Sequence, residues 1–150
     1  MKKYIHFSFV LFTILTSLSS SAQTDRFQDF KKMKLNYILE NTFLTEEEKK
    51  AFLPIFENYE DLYHNEVWIK ERGLRKGITQ AFDTINSNSA SNYISRFHEF
   101  EMLGMNIKYE RNQKMLSLIK PKTVLNILYQ ERRFDREMFN RIRNRQKKEN

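Results

Sequence analysis

The chain has 150 residues with only three glycines and two prolines, so it lacks the turn-forming residues that a β-sandwich or barrel needs. It has no cysteine, which excludes a thiol nucleophile, a thiolate metal site and a lipoprotein anchor. Its formal charge of +7 would suggest nucleic acid as the partner of a cytosolic protein, and anionic envelope surfaces, acidic clients or no partner for an exported one. Aromatic residues make up 14% of the chain, and they must be buried or line a surface that receives something apolar.

The first 22 residues are predicted to form a signal peptide. Lysines at positions 2 and 3 precede an apolar run over 4–18, and the small residues Ser20 and Ala22 stand before the expected cleavage after Ala22. A retained N-terminal anchor is the alternative, but the apolar run is shorter than the ~20 residues of a spanning helix. We therefore expect one mature domain over 23–150, located in the periplasm. Losing the two lysines would leave it a charge of 7 − 2 = +5.

Apolar residues at helical spacing predict the first two helices. The first lies between Asp25, its expected cap, and Asn41. The second begins with a capping box, in which the Thr45 hydroxyl accepts from the Glu48 amide and the Glu48 carboxylate accepts from the Thr45 amide. Leu44 is placed as the hydrophobic staple. A bend is expected at Pro54, beyond which the pattern continues to residue 82.

The polar run over 86–91 predicts a loop, with Ser89 or Ser91 capping a third helix that continues to about Ile119. Pro121 suits the first position of a fourth helix. No strand pattern is present, so the predicted fold class is all-α. The residues expected on the buried faces of the second, third and fourth helices are Phe52, Ile55, Phe56, Tyr59, Leu62, Tyr63, Val67, Ile69, Leu74, Ile78 and Phe82; Tyr93, Ile94, Phe97, Phe100, Leu103 and Ile107; and Val124, Leu125, Leu128, Met138, Phe139 and Ile142.

Two helix starts carry a family resemblance. Leu44-Thr45-Glu46-Glu47-Glu48 resembles the first Leu-Thr-x-x-Gln motif of the Spy/CpxP-like family, and Ile119-Lys120-Pro121-Lys122-Thr123 resembles a degenerate second copy. In that copy Lys120 replaces the usual capping Ser or Thr. The stretches 52–59 and 129–134 are similar to the branch described as sensors of extracytoplasmic-function sigma factors. The resemblance implies four helices with long bent helical hairpins, often assembled as an antiparallel dimer that acts in envelope stress.

The resemblance predicts an ATP-independent chaperone for unfolded or stress-exposed proteins, including acidic clients. The alternative is a regulatory sensor that reports envelope stress to a sigma factor/anti-sigma system through a membrane-bound protein. No catalytic constellation stands out, so neither an enzyme, nor a cofactor, nor a nucleic-acid partner is expected. The basic stretch 132–148 suggests an electrostatic contact with an acidic client or with lipid head groups, and a solvated amphipathic helix with cations near its C-terminus is the competing interpretation. The residues expected to contact a client or partner are Arg132, Arg133, Arg136, Phe52, Phe56 and Tyr59.

Two sets of side chains have metal-ligand spacing. His98, Met102 and Met105 share one helical face and would suit Cu(I). A second set, over 57–64, would suit a divalent ion and consists of Glu57, Glu60 and His64. We favour the simpler interpretation that the methionines fill gaps in a core or interface and the acids form a solvated face. No bound metal is therefore predicted.

Overall fold

The computed structural model describes residues 26–149, and all of its regular elements are helical. Helix α1 covers 26–41, α2 covers Glu46–Tyr63, α3 covers Ile69–Ala81, α4 covers Ser87–Leu116 and α5 covers Pro121–Glu149. A π-helical turn, His64–Trp68, joins α2 to α3, and a short 3₁₀ turn, Phe82–Thr84, follows α3. No strand occurs over 26–149, which confirms the predicted all-α class. The expected signal peptide and the Asp25 cap lie outside the described residues.

The start of α2 agrees with the sequence pattern. Its N-terminus has the predicted capping box between Thr45 and Glu48. Pro54 lies inside α2 and does not end it. Because α2, the π-helical turn and α3 continue without a break over 46–81, they act as one long helical arm, and the described chain has four helical segments.

The start of α4 differs from the prediction. Its cap is Asn86, whose Oδ1 accepts from the Ser89 amide at 2.9 Å, so neither Ser89 nor Ser91 is the cap. The predicted loop over 86–91 is therefore wrong, because this polar run is the first turn of the helix. Amides in a first turn have no intrahelical acceptor, and Asn is a preferred residue to provide one. The helix also ends at Leu116 and not at Ile119.

Contacts divide the described residues into two compact units, and the larger covers 42–130. Within it the arm α2–α3 runs antiparallel to α4. Glu60 pairs with Arg111 near one end of the two helices, and the Arg75 guanidinium covers the Phe97 ring near the other. Buried and half-buried side chains between the two helices form one core cluster of this unit: Val67, Leu74, Phe100, Ile107, Tyr59, Tyr63, Ile78, Tyr93 and Phe97.

The π-helical turn lies where the two helices approach closely. A Cβ atom on the buried Gly104 would stand 3.1 Å from Cε2 of Tyr63 and 3.7 Å from Cγ1 of Val67. The missing side chain of Gly104 therefore leaves room for Tyr63. In the same turn the His64 ring stacks on Trp68, with centroids 4.9 Å apart. Such turns insert an extra residue into a helix, and here Val67 joins the core.

The smaller unit consists of 26–41 and 131–149. The ring of Phe134 lies 5.3 Å from Phe30 and 5.6 Å from Tyr37, between centroids. The Tyr37 hydroxyl donates to Glu137 Oε1 at 2.7 Å, and Lys34 pairs with Glu131 at 3.9 Å. An aromatic cluster with polar links at its edge therefore joins α1 to the C-terminal part of α5.

Several side chains expected on buried faces are exposed, and those predictions are wrong. Their exposed fractions run from 37% to 71%. A helix that packs against one neighbour buries only the narrow line that faces this neighbour, while the sequence pattern marks a wider stripe. The residues outside that line are Leu62, Ile69, Phe82, Ile94, Leu103, Leu125, Phe139 and Ile142.

Candidate functional site

Glu48 joins the starts of two helices. Its Oε2 accepts from the Thr45 amide at 3.2 Å, while the Thr45 hydroxyl accepts from the Glu48 amide at the same distance. Its Oε1 accepts from the Lys120 amide at 3.3 Å and from the Thr123 hydroxyl at 3.1 Å. One buried carboxylate therefore caps α2 and also holds the first turn of α5. We call this arrangement the Glu48 clasp.

The clasp supplies half of a capping box to the degenerate second motif. Lys120 has no hydroxyl to accept from the Thr123 amide, but its own amide donates to Glu48, as the cap residue's amide does in a capping box. The hydrogen bond from the Thr45 amide, against the opposing effect of burial, lowers the pKa of Glu48, with help from the Thr123 hydroxyl and from the amide and charge of Lys120. Glu48 is therefore a charged acceptor at neutral pH.

Large apolar side chains stand exposed beside the two clasped junctions. Phe43, two residues before Thr45, is 88% exposed, and Leu118, two residues before Lys120, is 55% exposed. Leu125, in the second turn of α5, is 69% exposed. Because Glu48 binds both junctions, these side chains emerge at the same end of the 42–130 unit. We call Phe43, Leu118 and Leu125 the apolar end.

Sequence reasoning did not assign the apolar end as a site. Phe43 precedes a helix and belongs to no periodic stripe. Leu118 lies within the third helix as predicted, but in the structure that helix ends at Leu116. The one feature that could have indicated this site is Phe43, a large aromatic residue next to the capping box. A small polar residue would be equally compatible with the local structure there.

Two aromatic residues expected to contact a partner are instead in the interior. Phe52 and Phe56 are each 1% exposed, and their rings lie 5.6 Å apart. The predicted partner contact through these two rings is therefore wrong, because they face inward from α2. Tyr59 is half-buried and packs against the core of the 42–130 unit.

The predicted basic contacts are at the surface. Arg132, Arg133 and Arg136 are all exposed on α5. Arg133 lies 4.0 Å from Glu137, one turn on. Arg132 and Arg136 are one turn apart on a single face, and within residues 26–149 neither forms an ion pair. These two guanidinium groups are therefore open to solvent on one face of α5.

The candidate copper ligands also lie at the surface. Met102 is 60% exposed and Met105 is 65% exposed on α4, and His98 Nδ1 stands 3.2 Å from Glu101 Oε2. The interpretation that these methionines fill gaps in the core is therefore wrong for this chain, while the interpretation as an interface stays open.

The members of the second set of candidate metal ligands differ in their surroundings. Glu60 pairs with Arg111 at 3.6 Å, the buried His64 ring stacks on Trp68, and Glu57 is exposed. In the part of the chain that the structure describes, no group of three or more His, Asp or Glu side chains is placed to hold a metal ion.

The exposed methionines belong to a longer stripe on the side of α4 away from Phe100. Its members recur at alternating spacings of four and three residues, which is the pattern of a helix-pairing seam. Most of its side chains are exposed, in contrast to the line that packs against the α2–α3 arm. We call this set the outer stripe of α4, and it consists of His98, Met102, Met105, Tyr109, Asn112 and Leu116.

Comparisons with family models, curated proteins and solved structures each find no match for this chain. The resemblance described from the sequence therefore rests on the motif residues themselves. Over residues 26–149, no helix combines the length and the apolar character needed to cross a membrane.

Proposed function

We propose that this protein binds exposed apolar segments of unfolded proteins in the periplasm, without ATP, as an envelope-stress chaperone. The observation that carries the proposal is the apolar end. Three large apolar side chains, 55–88% exposed, stand at one end of a helical unit. Exposed apolar groups of this kind are typical of surfaces that receive an apolar partner.

The size of the apolar end fits weak and reversible capture. Burying a Leu or Phe side chain completely contributes about 1.5–3 kcal/mol, so three anchors contribute about 5–9 kcal/mol before costs. Association itself costs an estimated 4–15 kcal/mol in lost freedom. The net binding free energy is therefore small. A captured client would be released again without nucleotide or metal.

Surface cations support a preference for acidic clients. Lys120 and Lys122 are exposed beside the apolar end, and Arg132 and Arg136 are exposed further along α5. Exposed charges attract a partner over roughly 8–10 Å at ordinary ionic strength, so capture of acidic clients should weaken with added salt. The same cations would keep a complex with an apolar client soluble.

Aggregation of unfolded clients tests this proposal. We expect the purified protein to suppress aggregation of several unrelated clients at equimolar ratio without ATP or metal. The triple variant Phe43→Ser, Leu118→Ser, Leu125→Ser should lose most of that suppression, because it removes the apolar end. The control is Phe82→Ser, which removes a side chain 71% exposed at the opposite end of the antiparallel arm.

Two results would contradict the chaperone proposal. One is a wild-type protein that leaves the aggregation of every client unchanged. The other is equal loss of suppression in the triple variant and in Phe82→Ser, which would mean that the apolar end is not the client-binding surface. In the first case the regulatory alternative, a stress sensor acting on a membrane-bound signalling protein, becomes the better hypothesis.

We also propose that two copies of the chain pair along the outer stripe of α4. Its alternating spacing fits helix pairing, and Met and Tyr side chains adapt well to such an interface. Met105→Arg with Tyr109→Arg should convert a dimer to a monomer at micromolar concentration in sedimentation velocity, since it places like charges at the seam. The control Phe82→Arg should stay dimeric. A wild-type protein that sediments only as a monomer would contradict the pairing.

A further inference from the structure

The last turns of α5 are exposed at every position from Phe139 to Lys147. Upstream, Phe134 is 4% exposed and packs against Phe30 and Tyr37, so the covered part of the helix ends before this segment begins. Phe139 is 66% exposed and Ile142 is 56% exposed. We call 139–147 the basic end. It is a regular helix in which two large apolar side chains face solvent.

The charge of the basic end has one sign. Over 138–148 the sequence has three arginines, two lysines and no acid. The apolar pair Phe139 and Ile142 is spaced three residues apart and shares one edge of the helix. Arg143 and Lys147, one turn apart, border that edge on one side, and a second pair borders it on the other side: Arg141 and Arg145. An apolar edge with cations on both flanks is the pattern of a helix that lies flat in a membrane interface.

The arrangement discriminates among anionic partners. Guanidinium groups bind both phosphate and carboxylate oxygens in a bidentate geometry, so the arginines alone fit either kind of anion and the apolar edge between them decides. Ile142 has no ring to stack on a nucleic-acid base, whereas an acyl-chain boundary accepts it together with Phe139. Cations on both flanks also require anions on both sides of the apolar edge. A plane of phospholipid headgroups provides them, and a single acidic peptide does not.

We propose that the basic end of α5 docks on an anionic phospholipid surface. Phe139 and Ile142 enter the boundary between headgroups and acyl chains, and Arg141, Arg143, Arg145 and Lys147 contact lipid phosphates. Each cation near such a surface strengthens partition by about fivefold, and the effect falls off within a Debye length. The contact is therefore peripheral, reversible and sensitive to salt. It does not depend on the chaperone activity proposed above.

Vesicle flotation with the full chain tests this docking. The probes are phosphatidylcholine vesicles with and without phosphatidylglycerol, at low and high salt, and all variants share one N-terminus so that only the substituted residues differ. Arg141→Gln, Arg143→Gln, Arg145→Gln should reduce partition onto the anionic vesicles by about tenfold or more. The charge-matched control, Lys32→Gln, Lys50→Gln, Lys76→Gln, removes three exposed cations elsewhere and should change it far less.

Insertion of the apolar edge has a local readout. The chain has a single tryptophan, so Trp68→Phe with Phe139→Trp places the only indole on the basic end. Its emission should shift to the blue with anionic vesicles and stay unchanged with neutral ones. Because residue 139 is exposed, this variant should fold as the wild type does, and circular dichroism checks that.

Three outcomes would overturn the docking proposal. The first is equal loss of partition in the arginine variant and the lysine control. The second is unchanged emission of the residue-139 tryptophan on anionic vesicles. The third is stronger binding to poly-glutamate or to DNA than to anionic vesicles, which would assign the segment to an acidic protein or to nucleic acid.

Discussion

Replacing Phe52 by alanine is expected to lower the free energy of unfolding by about 3–5 kcal/mol. The side chain is 1% exposed and stands 5.6 Å, between ring centroids, from the equally buried Phe56. Alanine would remove most of the buried ring and leave a cavity that the helices can close only in part. Because domains of this size are stable by only about 5–15 kcal/mol, the midpoint of unfolding should fall steeply.

Denaturant unfolding of Phe52→Ala measures this effect, and Phe82→Ala is its control. Phe82 is 71% exposed, and a surface change of this kind usually alters stability by less than about 0.5 kcal/mol. If Phe52 contacted a client and not the core, its alanine variant would keep wild-type stability and lose only binding. That result would support the predicted contact between Phe52 and a client, which the burial of the ring contradicts.

The contrast between Phe52 and Phe43 marks what the sequence could predict. Periodicity placed Phe52 on an apolar stripe, and the structure agrees that this stripe is buried at that point. The aromatic surplus suggested that some rings reach a partner, but composition does not say which ones. Phe43, in contrast, is 88% exposed, and it lies outside every helix and therefore outside every periodic pattern.

Local signals predicted local structure well. The capping box at Thr45 and the proline at 121 each mark a helix start in the structure. The start of α4 was misplaced because Asn86, Ser89 and Ser91 are all acceptable caps, and their side chains alone do not rank them. In the structure Asn86 Oδ1 accepts from the Ser89 amide, and this hydrogen bond identifies Asn86 as the cap.

Contacts between distant segments could not be predicted from one sequence. The capping box assigned one role to Glu48, and its second role depends on Lys120 and Thr123, more than seventy residues away. In the same way, α4 has two seams of similar composition. Spacing alone does not tell which seam packs on the α2–α3 arm and which faces outward. In the structure Gly104 lies on the seam that packs, where its missing side chain leaves room for Tyr63.

Acid is expected to weaken the clasp, and Glu48 is the group responsible. Its pKa in the folded protein lies below its ordinary value of 4.5, chiefly through the Thr45 amide. A carboxyl group with a lowered folded-state pKa binds protons more readily in the unfolded chain. Its contribution to stability is therefore complete above the ordinary value and is lost as the pH falls through the lower, folded-state pKa.

Thermal unfolding of wild type and Glu48→Gln across the acid range separates this contribution from general acid effects. At neutral pH the variant should unfold at a lower temperature, because a neutral amide is a weaker acceptor for the Thr45 and Lys120 amides. Below pH 4.5 the two proteins should begin to converge, and they should coincide once the pH lies below the folded-state pKa of Glu48, where the wild-type side chain is also neutral.

The matched control is Glu47→Gln, which removes an exposed acid from the same helical turn. It should keep the wild-type difference between neutral and acid stability, because Glu47 does not take part in the clasp. Parallel curves for wild type and Glu48→Gln over the whole range would mean that the clasp adds no charge-dependent stability. If only Glu48→Gln converges with the wild type, the acid sensitivity of both helix starts is due to this one carboxylate. Thr123→Ala removes one donor to Glu48 Oε1 and should give a smaller change in the same direction.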